Sequence, residues 1–245
     1  MSVILISILG IIIGFLLNYF SDVLPAFHRL TKPVCTTCKQ PFTLKEYLLL
    51  SKCSKCGCKR SKRSVIVLIC SLASSLLLYY FPFSLLNYWA TLPMLILLGT
   101  ILIIDIEHRV VLTLTSAFGF IMFLIYGIFI RGLSGALLGS LGGFLIMFLF
   151  YILGIVFNKV LGKLQHKDIN EVAFGFGDVS IGTILGLLTG WPAILGVIII
   201  AILAFAAYAV VLFTQLLLSK KYKAFSKALP FTPFLIIGLV VMFYL

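Results

Sequence analysis

The sequence predicts an all-α polytopic membrane protein with eight transmembrane helices, and three observations carry that prediction. Hydrophobic residues make up 62% of the 245 positions. Charged residues account for 11%, against roughly 25% in a soluble domain. Basic residues are confined to a few polar stretches between long apolar runs. No soluble fold of this length has interior enough to hide that much apolar surface. The same figures exclude a disordered chain, a collagen-like repeat and a secreted disulfide scaffold. A net charge of +12 would suggest nucleic acid in a soluble protein. In a membrane protein it reads first as topology, because Lys and Arg mark cytoplasmic loops, and no nucleic-acid partner is expected.

A helix needs about 20 apolar residues to cross a bilayer. Segments that qualify run over 3–20, 65–82, 84–104, 111–130, 135–157, 179–190, 192–217 and 229–245. The first lacks a basic n-region and an Ala-x-Ala cleavage site, so it reads as an uncleaved span with its N-terminus outside. Eight alternating spans then put four connections inside, at 26–63, 105–110, 158–177 and 218–228. These hold 18 of the 19 Lys and Arg residues, leaving only Arg131 outside. The chain is expected to lie in a bacterial plasma membrane, organised as a first helix (1–25), a cytoplasmic four-cysteine loop (26–64) and a seven-helix domain (65–245).

Five of the six cysteines fall in the loop between helices 1 and 2. Cys35, Cys38, Cys53 and Cys56 form C-x2-C-x14-C-x2-C, in which each C-x2-C turn can aim two thiolates at one ion. The spacing predicts a tetrahedral zinc site, structural because the protein fills all four positions. It would fold a loop that otherwise has little core. Two disulfides or free thiols are the alternative, disfavoured in a reduced cytoplasmic loop. Gly57 suits the tight turn of a zinc knuckle, Cys58 is a spare that could replace Cys56, and Cys70 is a small core residue. Lys52, Lys55, Lys59, Arg60, Lys62 and Arg63 are expected to enforce topology and contact anionic lipid headgroups.

Asp105 closes the third span and Asp178 opens the sixth, both at the predicted cytoplasmic face. A carboxylate adjoining an apolar helix is a functional candidate, since its burial in hydrocarbon is unfavourable by several kcal/mol. Two that meet can share a proton, one accepting from water and the other polarising a scissile carbonyl, as in an aspartic protease. Asp105 at a helix C-terminus suits the acid role, and Asp178 at a helix N-terminus suits the base. The competing reading makes Asp178 an ordinary N-cap and pairs Asp105 with Arg109. Gly175 and Gly177 free the backbone before Asp178, permitting positive φ and close approach of a substrate strand. Gly135, Gly139 and Gly143 recur every four residues, as do Gly182, Gly186 and Gly190, predicting small-residue faces for helix packing. Glu107, His108, Asp168 and Glu171 read as solvated loop residues, with His108 a candidate supporting group.

Taken together, these residues resemble the type IV prepilin peptidase family, membrane aspartic proteases with a Gly-x-Gly-Asp motif. Gly175-Phe176-Gly177-Asp178 matches that motif, and Asp105-Ile106-Glu107-His108-Arg109 resembles the family's first aspartate segment. Gly14-Phe15-Leu16-Leu17-Asn18 with Leu24-Pro25 resembles its N-terminal signature, and Pro230-Phe231-Thr232-Pro233-Phe234 its closing Pro-Phe-x-Pro-Phe. The resemblance implies Asp105 and Asp178 as the catalytic pair and Cys35, Cys38, Cys53 and Cys56 as zinc ligands. It implies removal, at the cytoplasmic face, of the short basic leader of type IV prepilins or pseudopilins. Some members also methylate the new N-terminus with S-adenosylmethionine. The chain departs from the family pattern at Leu112 (usually Pro), at Ser180 (usually Lys), and between and after the cysteine pairs, in the loop linked to methylation. A transporter or assembly factor with a zinc-stapled loop, or an inactive peptidase homologue, is the competing class.

Overall fold

The computed structural model describes residues 3–35, 37–49, 51–58, 61–165, 175–219 and 229–245. Asp168 and Glu171 lie outside the described residues, as do Lys59 and Arg60. The elements are α1 (Val3–Phe27), α2 (Leu44–Leu48), α3 (Lys62–Tyr80), α4 (Tyr88–His108), α5 (Thr113–Gln165), α6 (Phe176–Thr189), α7 (Ala193–Ser219) and α8 (Thr232–Tyr244). Among the described residues the only extended pairing is an isolated bridge between Val34 and Pro41. Five helices (α1, α3, α4, α5 and α7) are long and apolar enough to cross a membrane. α6 and α8, with 14 and 13 residues, are only about 20 Å long at 1.5 Å per residue. Large apolar side chains such as Ile4 and Phe129 stand exposed on these helices, which is natural in lipid and unfavourable in water. The chain divides into two units, Met1–His108 and Arg109–Leu245.

In the first unit α1 packs on α3 through small residues. A Cβ added to Gly10 would lie 3.0 Å from the Leu72 Cα, and one on Gly14 would collide with Ser71 Oγ. The close approach is fixed by polar contacts that satisfy buried groups inside an apolar pair. Ser71 Oγ donates to Gly10 O at 3.0 Å, and Asn18 Nδ2 donates to Gly14 O and Ser64 O, each at 3.1 Å. Ile13, Leu17 and Val67 form a core against Leu92, Leu95, Ile96 and Ile103 of α4. α4 runs to His108, four residues beyond the apolar segment, and α1 runs to Phe27 rather than 20. Hydropathy reports where hydrocarbon ends, and a helix continues past that point for as long as its backbone bonds are met.

The second unit is organised around α6, whose Asp178, Val179, Ile181, Gly182 and Ile184 through Thr189 are all buried. α5 is a helical hairpin. Gly132, at φ 75° and ψ 165°, interrupts the helix with a backbone shape open only to glycine. A Cβ on Gly127 would lie 2.9 Å from the Ala136 Cβ, whereas nine residues of continuous helix span about 13 Å. The two arms, 113–131 and 133–165, therefore run antiparallel, in keeping with the separate spans predicted at 111–130 and 135–157.

The two glycine repeats meet each other, as the packing reading expected. A Cβ on Gly139 would lie 2.5 Å from the Gly190 Cα and collide with Gly186 O, while one on Gly143 would collide with Gly182 O. The α5–α6 contact is thus backbone on backbone. Gly190 ends α6 at φ 75°, and Trp191 N donates back to Gly135 O at 3.3 Å. α8 lies on α7, with Gly238 against Val197 O and an aromatic cluster of Phe205, Tyr208, Phe231 and Phe234 at its start. That cluster anchors the Pro-Phe-x-Pro-Phe segment and so sets the position of Thr232.

One substitution should act with opposite sign at two positions of the same repeat. Ala is a better helix former than Gly by about 1 kcal/mol. Gly135→Ala meets only the Arg131 Cβ, at 3.3 Å, and is expected to leave the melting temperature in detergent unchanged or raised. Gly139→Ala must push backbone apart and is expected to lower it, at a cost of about 1–3 kcal/mol. Equal effects in a thermal melt would contradict the backbone-on-backbone interface.

Candidate active site and metal centre

The Sγ atoms of Cys35, Cys38, Cys53 and Cys56 all lie within 4.8 Å of one another. Cys35 and Cys56 are 3.6 Å apart at sulfur, as are Cys38 and Cys53. Four sulfurs around one tetrahedral ion with bonds of about 2.3 Å would be separated by about 3.8 Å, so the set fits a metal ion. None of the four is joined in a disulfide, whose sulfurs would stand about 2 Å apart. Cys58 is exposed and outside the cluster, its sulfur accepting from Thr37 Oγ1 at 3.5 Å.

The two halves of the loop repeat one backbone turn. Lys39 N donates to Cys35 O and Gly57 N to Cys53 O, while Cys35 N donates to Gln40 O and Cys53 N to Cys58 O. In each turn the residue after the second cysteine is left-handed, Lys39 at φ 55° and Gly57 at φ 67°. The expected knuckle glycine is present in one turn, and a lysine bears the strained conformation in the other. The turns also prepare thiolates. Backbone N–H groups of Cys38 and Thr37 bring the Cys35 thiol down to about 6, and those of Cys56 and Lys55 lower Cys53. Cys56 receives a favourable N–H from Cys58, yet burial and three neighbouring sulfurs push it up to about 12. Four sulfurs this close cannot all ionise without a cation among them.

Arg63 corrects its expected headgroup role. Its guanidinium turns inward, pairing with Asp22 and Glu107 and donating to Ser21. Asp22 also accepts from Tyr47 OH of the cysteine loop at 2.8 Å. Glu107, read as a solvated loop residue, is thus half of an ion pair joining α4 to α3, and the cysteine loop is tied to the same cluster through Tyr47.

Asp105 sits in the last turn of α4, 5% exposed, on one face with the buried Leu98 and Ile101. It does not close the helix, which continues to His108, and Arg109 at φ 55° terminates it. Asp178 lies in the first turn of α6 and is 9% exposed. It is the third helical residue rather than the cap. Gly175 is the cap, and its N–H donates to Asp178 Oδ2 at 3.1 Å, while Thr232 Oγ1 donates to Oδ1 at 3.4 Å. The motif glycines do not adopt the positive φ that was expected, since Gly175 stands at φ −83° and Gly177 is helical. At Gly177 the requirement is space, because a Cβ would lie 2.7 Å from Val111 Cγ2.

Beside Asp178 a cavity of about 200 Å³ opens between the arms of α5 and α6, lined by Ser116, Phe120, Phe144, Phe176, Val179, Ser180, Thr183 and Ile184. Among the five described acidic residues, Asp22, Glu46, Asp105, Glu107 and Asp178, only Asp105 and Asp178 are buried. Sequence reasoning missed Thr232, whose signal was its place between the two Pro-Phe pairs.

A model of the type IV leader peptidase family matches residues 89–210, from the start of α4 through most of α7, with both buried aspartates inside the match. The chain belongs to that family. No curated protein and no solved structure matches it. Membership makes the chain a leader-peptidase-like protease at the level of the family, with membrane-spanning helices and a four-cysteine cluster able to hold a metal ion.

Two variants test the metal centre in the intact protein. Cys53→Ser is expected to drop the bound metal from about one ion per chain to near none by elemental analysis, and Cys58→Ser to leave it unchanged. Lys39→Gly relieves a left-handed lysine and should stabilise the loop by about 1 kcal/mol, read as slower metal loss to a chelator. Metal retained by Cys53→Ser would contradict the four-thiolate site.

Proposed function

We propose that this protein is an aspartic endopeptidase that removes the leader of type IV prepilins or pseudopilins, with Asp105 and Asp178 as its catalytic pair. One observation carries the reading: the two buried carboxylates among the described residues are the two in segments that resemble the family's aspartate motifs, and both fall within the matched residues 89–210. In the proposed reaction the pair shares one proton. Asp178 takes a proton from water as the water oxygen attacks the scissile carbonyl. Asp105 gives its proton to the carbonyl oxygen, forming a neutral gem-diol. Collapse of the gem-diol breaks the C–N bond, the proton held by Asp178 goes to the leaving amine, and a diol hydroxyl returns one to Asp105. Asp178 in the first turn of α6 lies at the positive end of that helix, which suits the base role. α4 continues past Asp105 to His108, so its end does not mark Asp105 as the acid, and the role of Asp105 here rests on pairing with Asp178 alone.

The hairpin of α5 supports eight crossings, because its arms supply two, although α6 and α8 would cross only where the bilayer is locally thin or the chain extends beyond the helix. With 18 of 19 basic residues in the predicted inner connections, this layout puts the N-terminus outside and the cut at the cytoplasmic face of a bacterial plasma membrane. A basic leader there would lie among anionic headgroups, and the apolar segment following it would enter lipid. The cavity beside Asp178 offers apolar lining for a side chain near the scissile bond. Zinc is the metal that a four-thiolate set suits best, and its role is to fold the cysteine loop. The reading covers hydrolysis and does not extend to methylation with S-adenosylmethionine.

Co-expression with a prepilin tests the reading. Asp105→Asn and Asp178→Asn are each expected to reduce leader removal at least about a hundredfold, because members of a catalytic unit fail singly. Immunoblots should show precursor accumulating at an unchanged enzyme level. Cleavage surviving either substitution would favour a non-catalytic transporter or assembly factor.

A further inference from the structure

Thr232 is fully buried at the first turn of α8. Threonines inside helices of this protein, such as Thr100, Thr183 and Thr189, donate their hydroxyls to the carbonyl four residues back. At the start of a helix no preceding turn supplies that acceptor. The hydroxyl of Thr232 crosses instead to another helix, donating to Asp178 Oδ1 at 3.4 Å. Its position is held from both sides, by Phe231 and Phe234 against Phe205 and by Pro233, which fixes the first turn. The other carboxylate oxygen accepts the Gly175 N–H at 3.1 Å. Donors on both oxygens hold the plane of the carboxylate about its Cβ–Cγ bond. The long separation matches catalytic hydrogen bonds that tighten only when substrate binds.

We propose that Thr232 is a positioning residue for the Asp178 carboxylate, orienting it through its hydroxyl toward the attacking water. This rests on the reading of Asp178 as catalytic and assigns a role to the variable position of the closing Pro-Phe-x-Pro-Phe segment. The hydroxyl does not touch substrate; it acts by holding the plane in which Asp178 accepts a proton.

The test is steady-state cleavage of a purified prepilin by the full-length protein in detergent, comparing Thr232→Val, Thr232→Ser and Asp178→Asn. Valine keeps the shape and removes the donor, while serine keeps the donor. The expected result is kcat reduced roughly tenfold to hundredfold in Thr232→Val, the scale of a misplaced catalytic group, with KM within about twofold and activity restored in Thr232→Ser. Thr232→Val matching the parent while Asp178→Asn is inactive would overturn the positioning role and leave the protease reading intact. Thr232→Ser as impaired as Thr232→Val would overturn it too, since packing rather than the hydroxyl would then matter. Activity in Asp178→Asn would sink the protease reading and the proposal with it. If valine prevents folding, Thr232→Ala against Thr232→Ser decides the question by the same criteria.

Discussion

A carboxylate withdrawn from water at the mouth of an apolar helix is unfavourable by several kcal/mol unless its oxygens find donors, and the second unit is arranged to meet that demand at Asp178. The first turn of α6 offers the Gly175 N–H, and α8 offers the Thr232 hydroxyl. Neither donor is in place without the packing behind it. α6 is seated by glycine backbone against the second arm of α5, and α8 by aromatic rings against α7. Small residues serve this better than large ones in lipid, where helices gain little from burying apolar surface and associate through close backbone contact. The glycine repeats and the aspartate motif are therefore parts of one arrangement.

The first unit meets its polar demands differently. α1 and α3 are joined by buried Asn18 and Ser71 side chains donating to Ser64 O and Gly10 O across the helix pair. At their ends an Arg63-centred cluster connects α1, α3 and α4, with the cysteine loop reached through Tyr47 and Asp22. Pairs this exposed contribute little each to stability, so the cluster matters chiefly for geometry: it fixes the end of α4, two residues beyond Asp105. In this account the metal-held loop is a rigid partner for that cluster, not a reactive centre.

Much of this was legible in the sequence because the signals are short-range. The C-x2-C turns announced a sulfur cluster through spacing alone, and the four-residue glycine repeats announced faces that do meet. The apolar segments at 111–130 and 135–157 anticipated the two arms of α5. Four features were not legible. Apolarity ends where hydrocarbon ends, so the extension of α4 past Asp105 and of α1 past residue 20 could not be read from it. Counting positive charges predicted an inner-side position for Arg63 without showing its partners, which lie 41 and 44 positions away at Asp22 and Glu107. The glycines before Asp178 suggested backbone freedom, and the structure instead uses Gly177 for clearance against Val111. The direction of the Thr232 hydroxyl depends on tertiary packing that no local pattern encodes.

The most direct test of the account is proximity of the two acidic positions in the membrane. Asp105→Cys and Asp178→Cys would be combined in the full chain, treated in native membranes with a short thiol-specific cross-linker, and digested for mass spectrometry, which separates this link from any among the native cysteines. The account predicts a peptide joining positions 105 and 178, and protection of that link-forming pair when a prepilin is bound. Ready alkylation of both cysteines with no joined peptide under any condition would mean that the two carboxylates never share a water, and a catalytic pair could not be maintained.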